Sequence, residues 1–356
     1  MRVGLVAPFP PIRGGIAQHS SQIGRTLVEN GHQVDFFSWR SQYPKMLYRR
    51  PEKDLSTVPF PEVRWDLQWW NPLSWLSVGR KLRKTDLFVF PWTVPFHAPH
   101  YLVIMAIAKK PVAIMVHNAL PHEPFPAARF LARQVLKRAI RLVAHAEEVA
   151  DVCKELAPNA KVIVVGHPPD LPVIEKKPPS FPPLKLVALG YLRDYKGVDL
   201  AIETVAQMKA QGFDIRLTVA GEPWDGDQKY WQELVKKLEV SDVVTLKLSY
   251  QTDHAVAELL ADHHALVAPY RSATQSGIVA QALGAGRPVI ATSVGGLPDV
   301  ISEGVNGVLA EPESVSSLQE AIVRFIGVLP DLMVGAGSSK PQWSEVSEAL
   351  VEGHKT

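Results

Sequence analysis

The sequence predicts an α/β protein built from two doubly wound domains in tandem. Three observations predict it. Short apolar strands alternate with helical segments from the N-terminus to about Phe325. A proline-rich stretch interrupts this alternation near the middle. Each side of the break opens with the same order of strand, glycine-bearing loop, helix and strand. A chain of 356 residues suits two domains of ordinary size.

In the first half, RVGLVAP reads as a strand buried on both faces. A loop with Gly14 and Gly15 follows, then a helix to Asn30 stopped by Gly31, then the strand Gln33 to Ser38. The strand VAIMVH ends at His117. Residues 166–183, GHPPDLPVIEKKPPSFPP, hold seven prolines and predict a stiff, extended linker. In the second half LKLVALG is a strand, YLRDYKG a loop and Val198 to Gln211 a helix ending at Gly212. The strand Asp214 to Ala220 ends in Gly221. An apolar strand, Ala265 to Ala268, runs into PYRSATQSG, from which a helix starts at Ser276-Gly277 and stops at Gly284 to Gly286. The strand Pro288 to Thr292 and a helix from Leu297 to Ser302 follow. The predicted domains are thus 1–165 and 184–325, joined by the linker 166–183. The tail 326–356 is irregular apart from a helix over Trp343 to Gly353.

Composition narrows the class. Hydrophobic residues make up 46% and charged residues 21%, as in a soluble globular protein. The longest apolar run, around Leu102 to Ala108, is too short to span a bilayer. MRVGLVAPFPP lacks the pattern of a signal peptide. A single cysteine, Cys153, excludes an internal disulfide and a thiolate zinc cluster, so a reducing cytoplasm is the expected setting. The net charge of +2 is uneven: residues 1–165 carry 22 Lys and Arg against 12 Asp and Glu, and the remainder 16 against 24. The basic half suits an anionic partner, or simply attracts the acidic half. Neither half has Gly-x-Gly-x-x-Gly after its first strand, which argues against a nicotinamide dehydrogenase.

Four segments in order, GGIAQHSSQIGRTLVENGHQV, GYLRDYKG, VAGEPW and GRPVIATSVGGLPDVI, resemble a family 4 glycosyltransferase of group 1 type. The resemblance covers Arg2 to about Pro312. It implies the GT-B architecture, two Rossmann-like domains facing a central cleft, with the acceptor on the first and a nucleotide-sugar on the second. It also implies a retaining transfer to an acceptor hydroxyl. HNALPHE and SATQSG mark a branch. The family's usual signature, Glu, seven residues, Glu, places Ala273 and Gln281 at its two positions, so both acids are absent here. Arg193 stands later in its loop than the family's arginine; Tyr191 follows Gly190 instead.

The chemistry expected of each residue follows from the bond broken. A sugar–phosphate bond that opens leaves charge on a diphosphate, which needs cations and N–H dipoles. Arg193 and Lys196 are the expected clamp, and His117, facing donor sugar and diphosphate, completes the catalytic set. Gly14 and Gly15 bring backbone N–H groups near the donor. Thr274, Gln275, Ser276 and Gly277 precede a helix whose free N–H groups suit a second anion contact. Gln281, one turn on, is expected to accept from a ribose hydroxyl. Gly221 and Glu222 end a strand at the same edge and are expected at nucleotide or ribose. Asn118, His122 and Glu123 are expected on the acceptor side.

Other features read more plainly. Asp225-Gly226-Asp227 mimics a metal motif but sits in a polar turn, and the adjacent His263 and His264 diverge, so no metal is expected. Arg129, Arg133, Lys137 and Arg141 recur every four residues as a basic stripe, either a solvated face or a contact for anionic lipid. Trp65, Trp69, Trp70 and Trp75 fill the core and its rim or stack on an acceptor sugar. The expected partners are a UDP- or GDP-sugar donor and a glycan, lipid-linked or small-molecule acceptor. Peripheral contact with the inner membrane face is a further expectation; nucleic acid is not a partner. No cofactor is expected. Two other readings stay open: a nucleotide-sugar epimerase, and a non-catalytic nucleotide-sugar-binding partner of another transferase.

Overall fold

The computed structural model describes residues 1–44, 52–53, 58–121, 126–171, 179–224, 226–335 and 341–352. The chain divides into two compact units, Met1–Gly166 with Pro341–Thr356, and His167–Lys340.

In the first unit, β1 (Arg2–Val6), β2 (Gln33–Ser41), β3 (Arg64–Gln68), β4 (Leu87–Trp92), β5 (Val112–Val116), β6 (Arg141–Ala144) and β7 (Lys161–Val164) form a parallel sheet. Its order is β3-β2-β1-β4-β5-β6-β7. The helices α1 (Gly15–Glu29), α2 (Pro72–Leu82), α3 (Ala98–Ala108), α4 (Ala128–Leu136) and α5 (Glu147–Leu156) connect the strands. Burial on both faces explains why these strands read as continuous apolar runs. Successive side chains alternate between faces: Leu87 and Val89 join one apolar layer with Val3 and Leu5, whereas Phe88 and Phe90 join the other with Val6 and Phe37. Asn71 caps α2 by accepting from Leu73 N, with Pro72 at the first helical position. Trp65, Trp69 and Trp75 pack against the cores, while Trp70 is exposed.

In the second unit, β8 (Leu184–Leu189), β9 (Ile215–Ala220), β10 (Val244–Lys247), β11 (Ala265–Ala268), β12 (Val289–Thr292) and β13 (Gly307–Ala310) form a second parallel sheet. Its order is β10-β9-β8-β11-β12-β13. The helices are α6 (Val198–Ala210), α7 (Gln228–Lys237), α8 (Asp253–Asp262), α9 (Gly277–Gly284), α10 (Leu297–Val300) and α11 (Val315–Gly335). Asp227 caps α7 by accepting from Tyr230 N, a structural use that fits the turn expected there; Asp225 lies outside the described residues. His263 and His264 diverge as expected: His263 reaches Leu259 O and Thr218 Oγ1, whereas His264 accepts from Lys185 N and donates to Pro179 O.

Two expectations need correction. The tail is not a separate irregular piece. The helix α11 runs through Phe325 to Gly335, and α12 (Trp343–Val351) belongs to the first unit. Val346 and Leu350 enter the layer that holds Val3 and Leu5, Asn30 Nδ2 donates to Ser347 Oγ (3.1 Å), and Arg141 donates to Ala349 O (3.2 Å). The basic stripe is shorter than expected, because Arg141 is buried on β6 rather than exposed on α4. Period alone carried the pattern past the helix end at Leu136. Among the described residues, no helix is long and apolar enough to cross a membrane.

Leu350→Ala therefore tests the docking of α12. Removing this fully buried side chain should destabilise the first unit by about 2–5 kcal/mol, read as a lower urea midpoint; a tail merely resting on the surface would leave the midpoint unchanged.

Candidate functional site

The order of the second sheet reverses between β8 and β11. Open parallel sheets bind ligands at the carboxyl ends of the strands beside such a reversal. The loops after β8 and β11 carry Arg193, Lys196 and Thr274 to Gly277, so the fold brings these expected residues to one edge.

The loop after β8 is fastened to the loop after β9. Gly190 N donates to Ala220 O (3.1 Å), Leu192 N to Glu222 O (3.0 Å) and Trp224 N to Leu192 O (2.9 Å). A Cβ on Gly221 would sit 1.8 Å from Gly190 O, so Gly221 is required by this close approach whatever it does for a ligand. The Arg193 guanidinium lies over Trp224, 3.5 Å from the ring centroid, which fixes its plane. Lys196 Nζ donates to Leu189 O (3.3 Å) and stands 5.7 Å from the Tyr270 ring centroid. A Cβ on Gly190 would fall 2.6 Å from this nitrogen. Burial, then the neighbouring Arg193, push the Lys196 ammonium down to about 8.

The helix α9 supplies the N–H groups. Ser276 caps it by accepting from Val279 N (3.4 Å) and shares a hydrogen bond with Tyr270 OH (3.1 Å). Thr292 Oγ1 donates to Tyr270 O (2.5 Å), tying this loop to β12. Gly277 and Ile278 lie in the first turn, where N–H groups precede any intrahelical acceptor. Thr274 and Gln275 are half-buried in the same loop, and Thr274 O accepts from Gly296 N (3.1 Å). Ala273 is buried.

Gln281 is used differently from the expectation. Its amide oxygen accepts from Asp170 N (2.7 Å) and Leu171 N (3.0 Å), which occupies both lone pairs and leaves none for a ribose hydroxyl.

The first unit gathers a second set of residues. Gly14 precedes α1 at φ 113°, a conformation that suits glycine. A Cβ on Gly14 or Gly15 would meet nothing within 4 Å among the described residues. His117 follows β5, is buried, and donates its backbone N–H to Trp92 O (3.0 Å). Asn118 is half-buried beside it; His122 and Glu123 lie outside the described residues.

Two further histidines join His117. His19 on α1 and His145 after β6 are both buried, and their Nε2 atoms stand 2.6 Å apart. The ring centroids of His19 and His117 are 4.6 Å apart, and Trp343 packs 4.8 Å from His19. His145 Nδ1 meets Val165 O at 2.7 Å. A carbonyl only accepts, so Nδ1 carries the proton; a neutral His145 then accepts at Nε2 from His19 Nε2–H. Sequence reasoning passed over both. The signal existed: His145 ends the apolar strand RLVA as His117 ends VAIMV, and His19 sits one helical turn past Gly15.

The sequence and fold were also compared with those of known proteins. Residues 13–171 match the Glycosyltransferase Family 4 model and residues 183–327 the model for Glycosyl transferases group 1. The chain belongs to the family 4, group 1 glycosyltransferases. The putative colanic acid biosynthesis glycosyltransferase WcaL of Salmonella typhimurium is 25% identical over 150 residues, covering 40% of this chain and 36% of the relative. A D-inositol 3-phosphate glycosyltransferase of Streptomyces bingchenggensis is 26% identical over 275 residues, covering 71% of this chain and 58% of the relative. The match thus spans less than two thirds of either relative. Anabaena HepE, solved in complex with UDP, has a TM-score of 0.70 at 16% identity, covering 98% of this chain and 95% of that one. Sucrose-phosphate synthase from Thermosynechococcus elongatus gives 0.73 at 14%, covering 98% and 94%. These likenesses show the GT-B fold.

His145→Ala would leave the buried His19 Nε2–H without its acceptor. The expected cost is about 1–3 kcal/mol, measurable by thermal or urea denaturation; an unchanged stability would mean that the pair is not hydrogen-bonded.

Proposed function

We propose that the protein transfers a sugar from a nucleotide-diphosphate sugar to an acceptor hydroxyl, with retention at the anomeric carbon and without a metal ion. The observation that carries this reading is the convergence of Lys196, Arg193 and the first turn of α9 at the reversal of the second sheet. Departing diphosphate oxygens gain charge as the sugar leaves, and fixed cations with N–H dipoles stabilise that charge in place. Arg193, its plane set by Trp224, forks two oxygens; Lys196 supplies a point charge. In the transfer, the acceptor oxygen bonds to the anomeric carbon while the bond from that carbon to the diphosphate breaks. The hydroxyl proton passes to the leaving diphosphate oxygen. HepE was solved with UDP and with UDP-glucose, which supports a uridine donor.

The first unit provides the acceptor side in this reading. Gly14, Gly15, His117 and Asn118 are the first unit's own candidates for ligand contact. Glu222 contacts the nucleotide. Exposed Arg133 and Lys137, with Phe130 also exposed on α4, support peripheral contact with an anionic membrane that carries a lipid-linked acceptor.

The test is a panel of UDP- and GDP-sugars scored for release of the nucleoside diphosphate, first with water and then with candidate acceptors. Sugar-specific release that EDTA does not slow, and a product anomer matching the donor by proton NMR, are expected. Tight binding without turnover of any donor would instead identify a non-catalytic nucleotide-sugar binder.

Lys196 gives a sharper outcome. Its charged form is lost as pH rises through about 8, so a bound diphosphate must draw a proton back onto it. Affinity for UDP should therefore fall between about pH 7 and about pH 9.5, and Lys196→Arg should flatten that dependence. Lys196→Ala should cut turnover by at least about a hundredfold; unchanged turnover would remove Lys196 from the clamp.

A further inference from the structure

The loop that carries Lys196 is held on a second side by one residue. Arg271 follows the end of β11 after Pro269 and Tyr270. Its backbone N–H donates to Tyr195 O (2.7 Å). Its guanidinium Nη1 donates to Asp194 O (2.6 Å) and to Asp199 Oδ1 (3.0 Å), and Nη2 donates to Asp199 Oδ2 (2.6 Å). One residue thus takes both carbonyls just before Lys196 and forks a carboxylate just after it. Asp199 sits in the first turn of α6, where an acid complements the helix N-terminus. The Arg271 and Asp199 side chains are each 22% exposed, so solvent screens their pairing only in part. Asp194 and Glu313, both exposed, add looser carboxylate contacts at 3.8 Å.

The same short segment reaches the end of α9. Tyr270 OH shares a hydrogen bond with Ser276 Oγ, the cap of α9 (3.1 Å), and its ring centroid stands 5.7 Å from Lys196 Nζ. A Cβ on Gly197 would fall 2.0 Å from Pro269 O, so the backbone after Lys196 packs directly on this segment. Pro269 to Arg271 therefore touches both the Lys196 loop and the cap of α9. The bonds to the loop after β9 fasten Gly190 and Leu192, at the start of the Lys196 loop. Arg271 fastens its far end, where the ammonium is carried. An arginine suits this place because its planar fork meets a carboxylate with two parallel bonds and keeps a further N–H for a carbonyl.

We propose that Arg271 is a positioning residue for the diphosphate clamp: by forking Asp199 and holding the carbonyl of Asp194, its side chain sets where the Lys196 ammonium stands relative to the first turn of α9. This rests on the assignment of Lys196 and the α9 end to the donor diphosphate in the proposed function. The charge of Arg271 is committed to Asp199, and the residue acts on the donor through Lys196.

Two measurements on the full chain test it, with Arg271→Gln and Asp199→Asn as the variants. Asp199→Asn keeps the contact of Arg271 with Asp194 O and so reads the site even where Arg271→Gln fails to fold. The first measurement needs no ligand. Carbon-13 NMR follows the titration of the Lys196 side chain, its signal assigned with Lys196→Arg. That ammonium is held down to about 8 by burial and Arg193. The Tyr270 phenol near it stays neutral, because burial holds it far above its ordinary range. A released loop lets water reach the ammonium, so its midpoint should rise by at least about half a pH unit in both variants. The second measurement is calorimetric titration with UDP, and with GDP as the second probe. Each variant should bind at least about fivefold more weakly than the wild type at about pH 7, because the ammonium is no longer held in place. The deficit should shrink toward about pH 9.5, where the wild type has lost the charge on Lys196. The double variant should be less than about twofold weaker than the weaker single variant, because both break one fork. An unmoved Lys196 midpoint in the folded variants, or a deficit equal at every pH, would overturn the inference and leave the pairing a stability contact alone, while wild-type binding leaves the donor site standing. A wild type that binds neither probe would overturn the donor-site reading and this inference with it.

Discussion

The second unit depends on how closely two loops approach. The backbones at Gly190 and Gly221 come so near that a single added carbon would meet the Gly190 carbonyl at 1.8 Å. That approach lets three backbone hydrogen bonds join the ends of β8 and β9. Arg193 can then rest on Trp224, and Lys196 can fold back onto the carbonyl of Leu189. Loops with this many backbone bonds to a sheet edge reorganise little, and electrostatic stabilisation by fixed charges depends on that. Lys196 shows the cost. An ammonium held where burial and Arg193 oppose its charge is poised to bind an anion and not to be solvated.

The first unit uses hydrogen bonding where the second uses charge. A carbonyl and two imidazoles form a chain from Val165 O through His145 to His19, with His117 and Trp343 packed against it. A buried polar chain of this kind is favourable only when each member has its partner, and it then holds its rings in one orientation. The docking of α12 is part of the same construction, because Trp343 closes one side of His19 while Val346 and Leu350 complete the apolar layer beneath.

What the sequence revealed follows from the range of the signals. Strands, helices, the Gly14-Gly15 corner, the Lys196 loop and the cap of α9 at Ser276 were legible because apolar period, glycine and capping residues act within a few positions. Arg141 was misplaced for the same reason: a four-residue recurrence continues on paper after the helix has ended at Leu136. The partnership of His19 with His145 spans a separation of 126 residues, and that of Gln281 with Asp170 spans 111. No local pattern encodes either. The return of α12 to the first unit was equally hidden, since its amphipathic pattern states that a face is buried but not against which sheet.

The absence of acids at positions 273 and 281 bears directly on Lys196. A carboxylate within reach of an ammonium raises its proton affinity, and would also oppose an incoming diphosphate. Here Ala273 is buried and apolar, and Gln281 is neutral with its oxygen occupied by two backbone N–H groups. The influences on Lys196 are burial and a second cation. Among the described residues, no acid offsets these two influences on the ammonium. Exchanging acids for neutral residues removes one means of reading hydroxyls, and it makes the α9 end of the site more favourable to an anion.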